Sequence, residues 1–324
     1  MHRRAALTLG LGAIGATVGR RFAAAQSSGG VIKIVFPLGA GAAGDVLTRL
    51  MAEGIATATG RPVIVENRTG AEGMLAVSAV KSAAANGDTL LATTGPLMWM
   101  RPLITDTPGF DPFKDFMPVA IYGHFDFCIA VANNTEATTM AELVAWLKAH
   151  PQQRTYAVLG LASIQNFAGS RLAKLADVEM LHVLYKGGAQ AISDLIAGHI
   201  PVYISGVGDA VEQHKAGKLR VVAVAGKVRS PFLPDVPTAR ESGFDLVAQS
   251  WYGLWAPAGT PPQVVKQLNA AIVAQMQTPE ARARIAIIGY LPGGGTPEDM
   301  AADMQAQAAA WAPVIKDTGF RLER

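Results

Sequence analysis

The stretch FPLGAGAAGD, Phe36 to Asp45, decides how this chain is read. Gly39, Gly41 and Gly44 have the G-x-G-x-x-G spacing of a dinucleotide fingerprint. An apolar run, Val31 to Val35, precedes it and a helical pattern, Val46 to Ala58, follows it. A second apolar run, PVIVE, ends at Glu66, near where a ribose-binding acid would stand. Two readings are open at this level: a turn under a nicotinamide dinucleotide, or a turn whose backbone amides hold a smaller anion.

Outward from that turn, short apolar runs alternate with longer amphipathic ones. Strands are expected at 31–36, 62–66, 89–93, 118–122, 127–132, 154–158, 179–184, 201–205, 219–225 and 250–256. Helices are expected at 45–58, 71–84, 140–149, 165–176, 190–197 and 210–216. Such alternation implies an α/β protein with mainly parallel sheets covered by helices. Three further helical patterns, 262–276, 279–288 and 296–316, have no strands left to connect and are expected to cover one sheet. No low-complexity linker separates the halves. The expected organisation is therefore two discontinuous domains joined by crossover strands at 127–132 and 250–256, with a ligand cleft between them. The boundaries expected are 26–126 with 251–324 for the first domain and 127–250 for the second.

The first 25 residues read as a cleaved secretory leader, with Arg3 and Arg4 ahead of an apolar stretch, Ala5 to Val18, and Ala23-Ala24-Ala25 before Gln26. That stretch is shorter than the roughly 20 residues needed to cross a bilayer. The Arg3-Arg4 and Arg20-Arg21 pairs leave both the general secretory and the twin-arginine routes open. These four arginines take the formal charge from +3 to −1, so the basicity of the whole chain belongs to the leader. A nearly neutral mature surface without Lys/Arg clusters argues against nucleic acid or an anionic membrane as partner. The single cysteine, Cys128, excludes an internal disulfide and a thiolate-cluster metal site, and FDFCIAVA reads as a buried strand around it.

Catalytic signatures are absent from the sequence: there is no G-x-S-x-G, H-E-x-x-H, Walker or EF-hand spacing, and no histidine has a helical partner for a metal. No cofactor, no metal and no enzymatic activity are expected. Four small-residue turns stand where strands end and helices begin: LGAGAAGD, TTGP at Thr93, LGLASIQN at Leu159 and SGVGD at Ser205. Unpaired N–H groups at such starts can surround one small anion.

VENRTGAEG, LYKGGAQAISDLIAGHI, KAGKLRVVAVAG, SPFLPDVPTARESGF and SWYGLWAPAGTPPQVVKQLNAAI occur in this order. With that order and spacing the chain resembles the solute-binding receptors of tripartite tricarboxylate transporters, the Bug receptors. The resemblance implies a type II periplasmic-binding-protein fold of two α/β domains that closes, in the manner of a Venus flytrap, on a small organic carboxylate. It also implies delivery to integral-membrane transporter subunits, a periplasmic location and a monomeric state. The alternative is a receptor that signals to a membrane sensor kinase, and a remote one is an NAD-dependent enzyme. Against the dinucleotide, Pro37 and Leu38 separate the strand from the first glycine, which the fingerprint needs at the strand end.

The candidate ligand contacts are Leu38, Gly39, Gly41, Ala42, Ala43, Gly44 and Asp45 of the first turn, and Thr93, Thr94 and Gly95 of the second. Gly160, Ala162, Ser163 and Gln165 of the third and Ser205 of the fourth complete the set, with Ser163 and Gln165 expected as side-chain donors. A bulky residue at Gly41 is expected to abolish binding and leave the fold intact. Relatives often carry an aspartate where Ser205 stands, and the nearby Asp209 reads as a helix cap. A ligand acid without an ammonium group is therefore expected.

Overall fold

The computed structural model describes residues 29–322; the expected leader, 1–25, lies outside them. The chain begins with β1 (Ile32–Phe36), α1 (Ala43–Thr59), β2 (Val63–Asn67), α2 (Met74–Lys81), β3 (Thr89–Thr94) and α3 (Gly95–Ile104). Parallel pairing sets β1 between β2 and β3. Burial on both faces explains the near-continuous apolar reading of β1. Its one charged residue, Lys33, reaches Glu66 at 2.9 Å, and Arg68 also bonds Glu66. Glu66 is thus held in ion pairs at the sheet edge.

Then comes β4 (Phe116–Val131), a single strand of 16 residues where the sequence suggests two. Next are α4 (Met140–Ala149), β5 (Thr155–Val158), α5 (Ile164–Ala176), β6 (Leu181–Leu184), α6 (Gly188–Ile196), β7 (Val202–Gly206), α7 (Val207–Lys215) and β8 (Arg220–Val224). The chain closes with β9 (Gln249–Pro257), α8 (Pro262–Met276), α9 (Pro279–Ile287), β10 (Leu291–Pro292) and α10 (Pro297–Thr318). The strand order is β2-β1-β3-β9-β4-β7-β5-β6, with β8 and β10 also on β4.

The long strand is the junction. Residues Phe116 to Asp126 pair antiparallel with β9, and Phe127 to Val131 pair with β7 and β8. Register shifts near Ala120, Gly123 and Ala130 mark bulges, which bend a strand and let it serve two sheets. Leu47 of α1 lies where a side chain at Gly123 would stand. The chain crosses back where β9 begins, and Gln249 Nε2 donates to Asp126 Oδ1 at 2.6 Å.

Side chains alternating along the strands sort into distinct cores. Ile34 and Phe36 point under α1 and α8, while Val35 points to the opposite face. Cys128 and Ala130 join a cluster with α6 and α7, and Ile129 and Val131 join Val35. That second face is continuous from Trp99 and Trp251 to Phe167 and Trp311. The C-terminal helix therefore does more than cover one sheet: α10 contacts α3, β4 and α5. Lys174 pairs with Asp317 and Phe167 packs edge-on to Phe320, 5.7 Å between centroids. Among the described residues no helix is long and apolar enough to cross a membrane.

Candidate functional site

The turn after β1 is shaped by its own aspartate. Gly41 has φ +83°, a conformation open to glycine, and its N–H donates to Asp45 Oδ2 at 3.0 Å. Asp45 also accepts from Arg49 and Asn67, and Asn67 donates to the Leu38 carbonyl. Burial pushes the Asp45 carboxyl up, but these bonds outweigh it and hold it below the usual range. Gly41 is thus an internal donor. The N–H groups of Ala42, Ala43 and Gly44, at the first turn of α1, donate to nothing among the described residues, and Ala42 has no side chain to cap them.

Helix starts differ across the molecule in how they are capped. Thr139, Ser163, Thr278 and Thr296 cap α4, α5, α9 and α10 through their side chains. By contrast α1, α2, α3, α6, α7 and α8 begin at Ala42, Gly73, Thr94, Gly187, Gly206 and Pro261 with no side-chain cap. Of these, α1, α3 and α7 follow directly on the strand ends β1, β3 and β7, where a positive helix end can face a ligand.

Two neighbouring aromatics of β9 bring the first turns together. A Cβ at Gly44 would lie 2.5 Å from the Tyr252 ring, and one at Gly95 2.5 Å from the Trp251 ring. Leu38, Gly39, Thr93 and Thr94 line one cavity of about 340 Å³ with Pro37, Thr69, Gly70, Glu72, Gly73 and Leu97. Gly73 and Gly70 belong to a turn in which Ala71 and Glu72 also take positive φ, which is why α2 starts at Met74 rather than at Ala71.

The turns of the second half behave differently from expectation. Ser163 Oγ donates to the Gly160 carbonyl and accepts from Asn166 N–H, so it caps α5. Gln165 Nε2 donates to the Ile204 carbonyl and its Oε1 accepts from Leu159 N–H. Gln165 braces the turn against β7 and Ser163 closes the turn on its own helix, so both side chains are engaged within the protein. Ser205 is fully buried and donates to the Gly206 carbonyl. Gly160 and Ala162 are part of the same turn and only half-buried.

Residues absent from the sequence reading complete the arrangement. Tyr252 stacks with Tyr290 at 6.1 Å, and Phe125 stacks with Tyr290 at 4.9 Å. The backbone of Ile288 and Gly289 packs on Gly208 at the start of α7 so closely that no side chain fits there. Asp209 stands one residue on. It is not a cap: Gly206 holds the cap position and Asp209 makes no hydrogen bond to the helix start. Its charge is felt at Tyr203 on one side and at Tyr252 and Tyr290 on the other. Burial, with a smaller contribution from Asp209, pushes Tyr252 up to about 12. The signal for the aromatics was the apolar density of SWYGLW; nothing local marked Tyr290.

The geometry is that of a cleft lined by helix starts, glycines and aromatics, with no nucleophile–base pair among the described residues. Among the described residues no cluster of His, Cys, Asp and Glu can hold a metal. Comparison with known proteins agrees. The model of the tripartite tricarboxylate transporter family receptor matches residues 47–320. A Rhodopseudomonas palustris protein, Rpa4515, solved with adipate, is 30% identical with TM-score 0.80, covering 90% of this chain and 97% of that one. MatC from Rhodopseudomonas palustris, solved with bound malate, is 28% identical with TM-score 0.77, covering 88% and 98%. The periplasmic binding protein BugD is 27% identical with TM-score 0.78, covering 90% and 99%. The chain belongs to the tripartite tricarboxylate transporter receptor family; its fold is the α/β periplasmic-binding-protein fold, and it is a binding protein, not an enzyme.

Proposed function

We propose that, as a member of that receptor family, the chain captures a small organic carboxylate between its two strand groups and delivers it to an integral-membrane transporter. The observation that carries this reading is the start of α1. Three backbone N–H groups, Ala42 to Gly44, lack acceptors among the described residues, no side chain caps them, and the turn holds no Lys or Arg. A carboxylate supplies the acceptors and takes the favourable end of the helix dipole. The relatives solved with adipate and malate support the same ligand class.

The domains we propose are 26–126 with 251–324, and 127–250. They close about β4 and β9, where β4 changes partners beside the Gln249–Asp126 bond. The site of action is the periplasm, with the leader removed near Ala25. N-terminal sequencing of the exported protein should then begin near Gln26, and an intact Met1 on cytoplasmic protein would overturn the export reading.

Calorimetric titration of the purified mature chain with adipate, malate and a panel of other small acids and amino acids tests the function. A ligand at 100 times its Kd should add about 2.7 kcal/mol of stability. If no carboxylate in the panel binds or shifts the melting temperature, the reading fails.

A further inference from the structure

The inference concerns the wall of the cleft opposite α1, and it rests on the carboxylate reading above. Asp209 forms no hydrogen bond and no ion pair among the described residues, and burial alone raises its pKa, with no cation acting on it. Solvent nevertheless reaches the residue. A carboxylate that is both reachable and crowded by protein lies inside a concavity and not on a convex surface.

Two glycines keep the space beside it clear. A Cβ at Gly206 would stand 3.4 Å from Asp209 Oδ2, and one at Gly188 would stand 3.5 Å from the same oxygen. The point above Gly188 is also 3.4 Å from the buried Tyr203 hydroxyl. Tyr252 links the two walls: its ring lies against Gly44 at the start of α1, and the Asp209 charge reaches it. The cleft is therefore polarised, with N–H groups at one end, a lone negative charge at the other and aromatic rings between them. A dicarboxylate would bring a second anion towards Asp209. A cation placed there meets its counter-charge.

We propose that Asp209 binds the positively charged end of a ligand whose carboxylate sits at the start of α1, so that the receptor selects a small zwitterion, an ammonium carboxylate, over a dicarboxylate. This reverses the preference drawn from Ser205. Serine leaves no charge at its own position, and Asp209, freed from any capping role, supplies it four residues later.

The test uses matched pairs that differ by the amine: aspartate with succinate, glutamate with glutarate, and 4-aminobutyrate with butyrate. Each is titrated calorimetrically into the mature wild-type chain and into Asp209→Asn. At least one ammonium member should bind tenfold or more tightly than its partner to the wild type. Asp209→Asn should weaken that ligand by tenfold or more and leave the amine-free acid bound as well as before or better. The proposal is overturned if the wild type binds the amine-free acids as tightly as their partners or more so, or if Asp209→Asn leaves an ammonium preference in place. Those outcomes leave carboxylate capture standing. Failure of every carboxylate would remove the functional reading itself, so the two are told apart. The wild-type pairs decide the matter even without the variant.

Discussion

The N–H of Gly41 is held by the carboxylate of Asp45, 3.0 Å away and four residues on. The bond folds the β1–α1 turn back on its own helix and leaves Ala42, Ala43 and Gly44 as its outward donors. Removing Asp45 therefore acts on the shape of the turn.

Asp45→Ala should destabilise the protein by roughly 2–3 kcal/mol, since it breaks charge-assisted bonds from Arg49 and leaves Gly41 N–H and Asn67 without their acceptor. Urea unfolding with an unchanged slope and a lower midpoint would show it. The folded pKa of Asp45 lies below its ordinary value of 3.8. The stability it contributes is therefore complete above that value and is lost as pH falls through the depressed one. The wild-type and Asp45→Ala curves should converge below about pH 4; a constant gap down to pH 2 would refute the assignment.

Gly41 and Gly44 should respond differently to a methyl group. Gly41 has open space around it but φ +83°, so Gly41→Ala costs about 1–2 kcal/mol of backbone strain, and a β-branched residue costs more. A bulky residue there is therefore expected to cost stability as well as binding. Gly44 has an ordinary helical backbone, yet a methyl there overlaps the Tyr252 ring. Gly44→Ala should displace that ring and lower carboxylate affinity at least tenfold, at a stability loss of roughly 1–3 kcal/mol. Equal affinity for wild type and Gly44→Ala would show that the ring position does not matter to the ligand.

Much of this was legible in the sequence because the signals were local. A turn rich in small residues after an apolar strand marks an open helix start, and Gly39 to Asp45 fell where such a start occurs. Short apolar runs alternating with amphipathic ones marked most strands of the two groups. What failed was long-range. Nothing between Pro118 and Ala132 announces one bent strand, since the bulges near Ala120 and Gly123 arise from pairing with β9. Ser163, Gln165 and Ser205 read as donors because a polar side chain near a strand end looks open until its partner is known. Those partners, Asn166 and Gly160, Ile204 and Leu159, and Gly206, only become visible in three dimensions. Tyr290 lies far along the chain from Phe125 and Tyr252, and only the packing of β9 and β10 on β4 unites them.

Cys128 should be inert in the folded protein. It is completely buried in β4, and burial pushes its thiol far above the ordinary range, with the Asp209 and Asp126 charges adding to the effect. A maleimide at pH 8 should leave it unlabelled for hours in native buffer and label it fully in denaturant. Rapid native labelling would mean that the sheet opens locally at β4.

The last prediction separates the cost of Asp209 from its use. Burial raises its folded pKa above 3.8 and no cation offsets the penalty, so the ionised group destabilises the ligand-free protein. A raised folded pKa means that folding retains the proton. The favourable contribution is full below 3.8 and disappears as pH rises through the folded value. Of the groups that feel its charge, Cys128, Tyr203, Tyr252 and Tyr290 are all pushed upward and stay neutral through this window. Asp209→Asn should therefore match the wild type near pH 3.5 and become the more stable of the two as pH rises, reaching a plateau above the folded pKa. Because the residue is exposed, solvent screening keeps that difference small. Thermal melting of both proteins from pH 3.5 to 8 without ligand measures the difference. An Asn variant that melts below the wild type at pH 7 would mean that Asp209 already has a partner inside the protein, and its assignment to the ligand would fall with it.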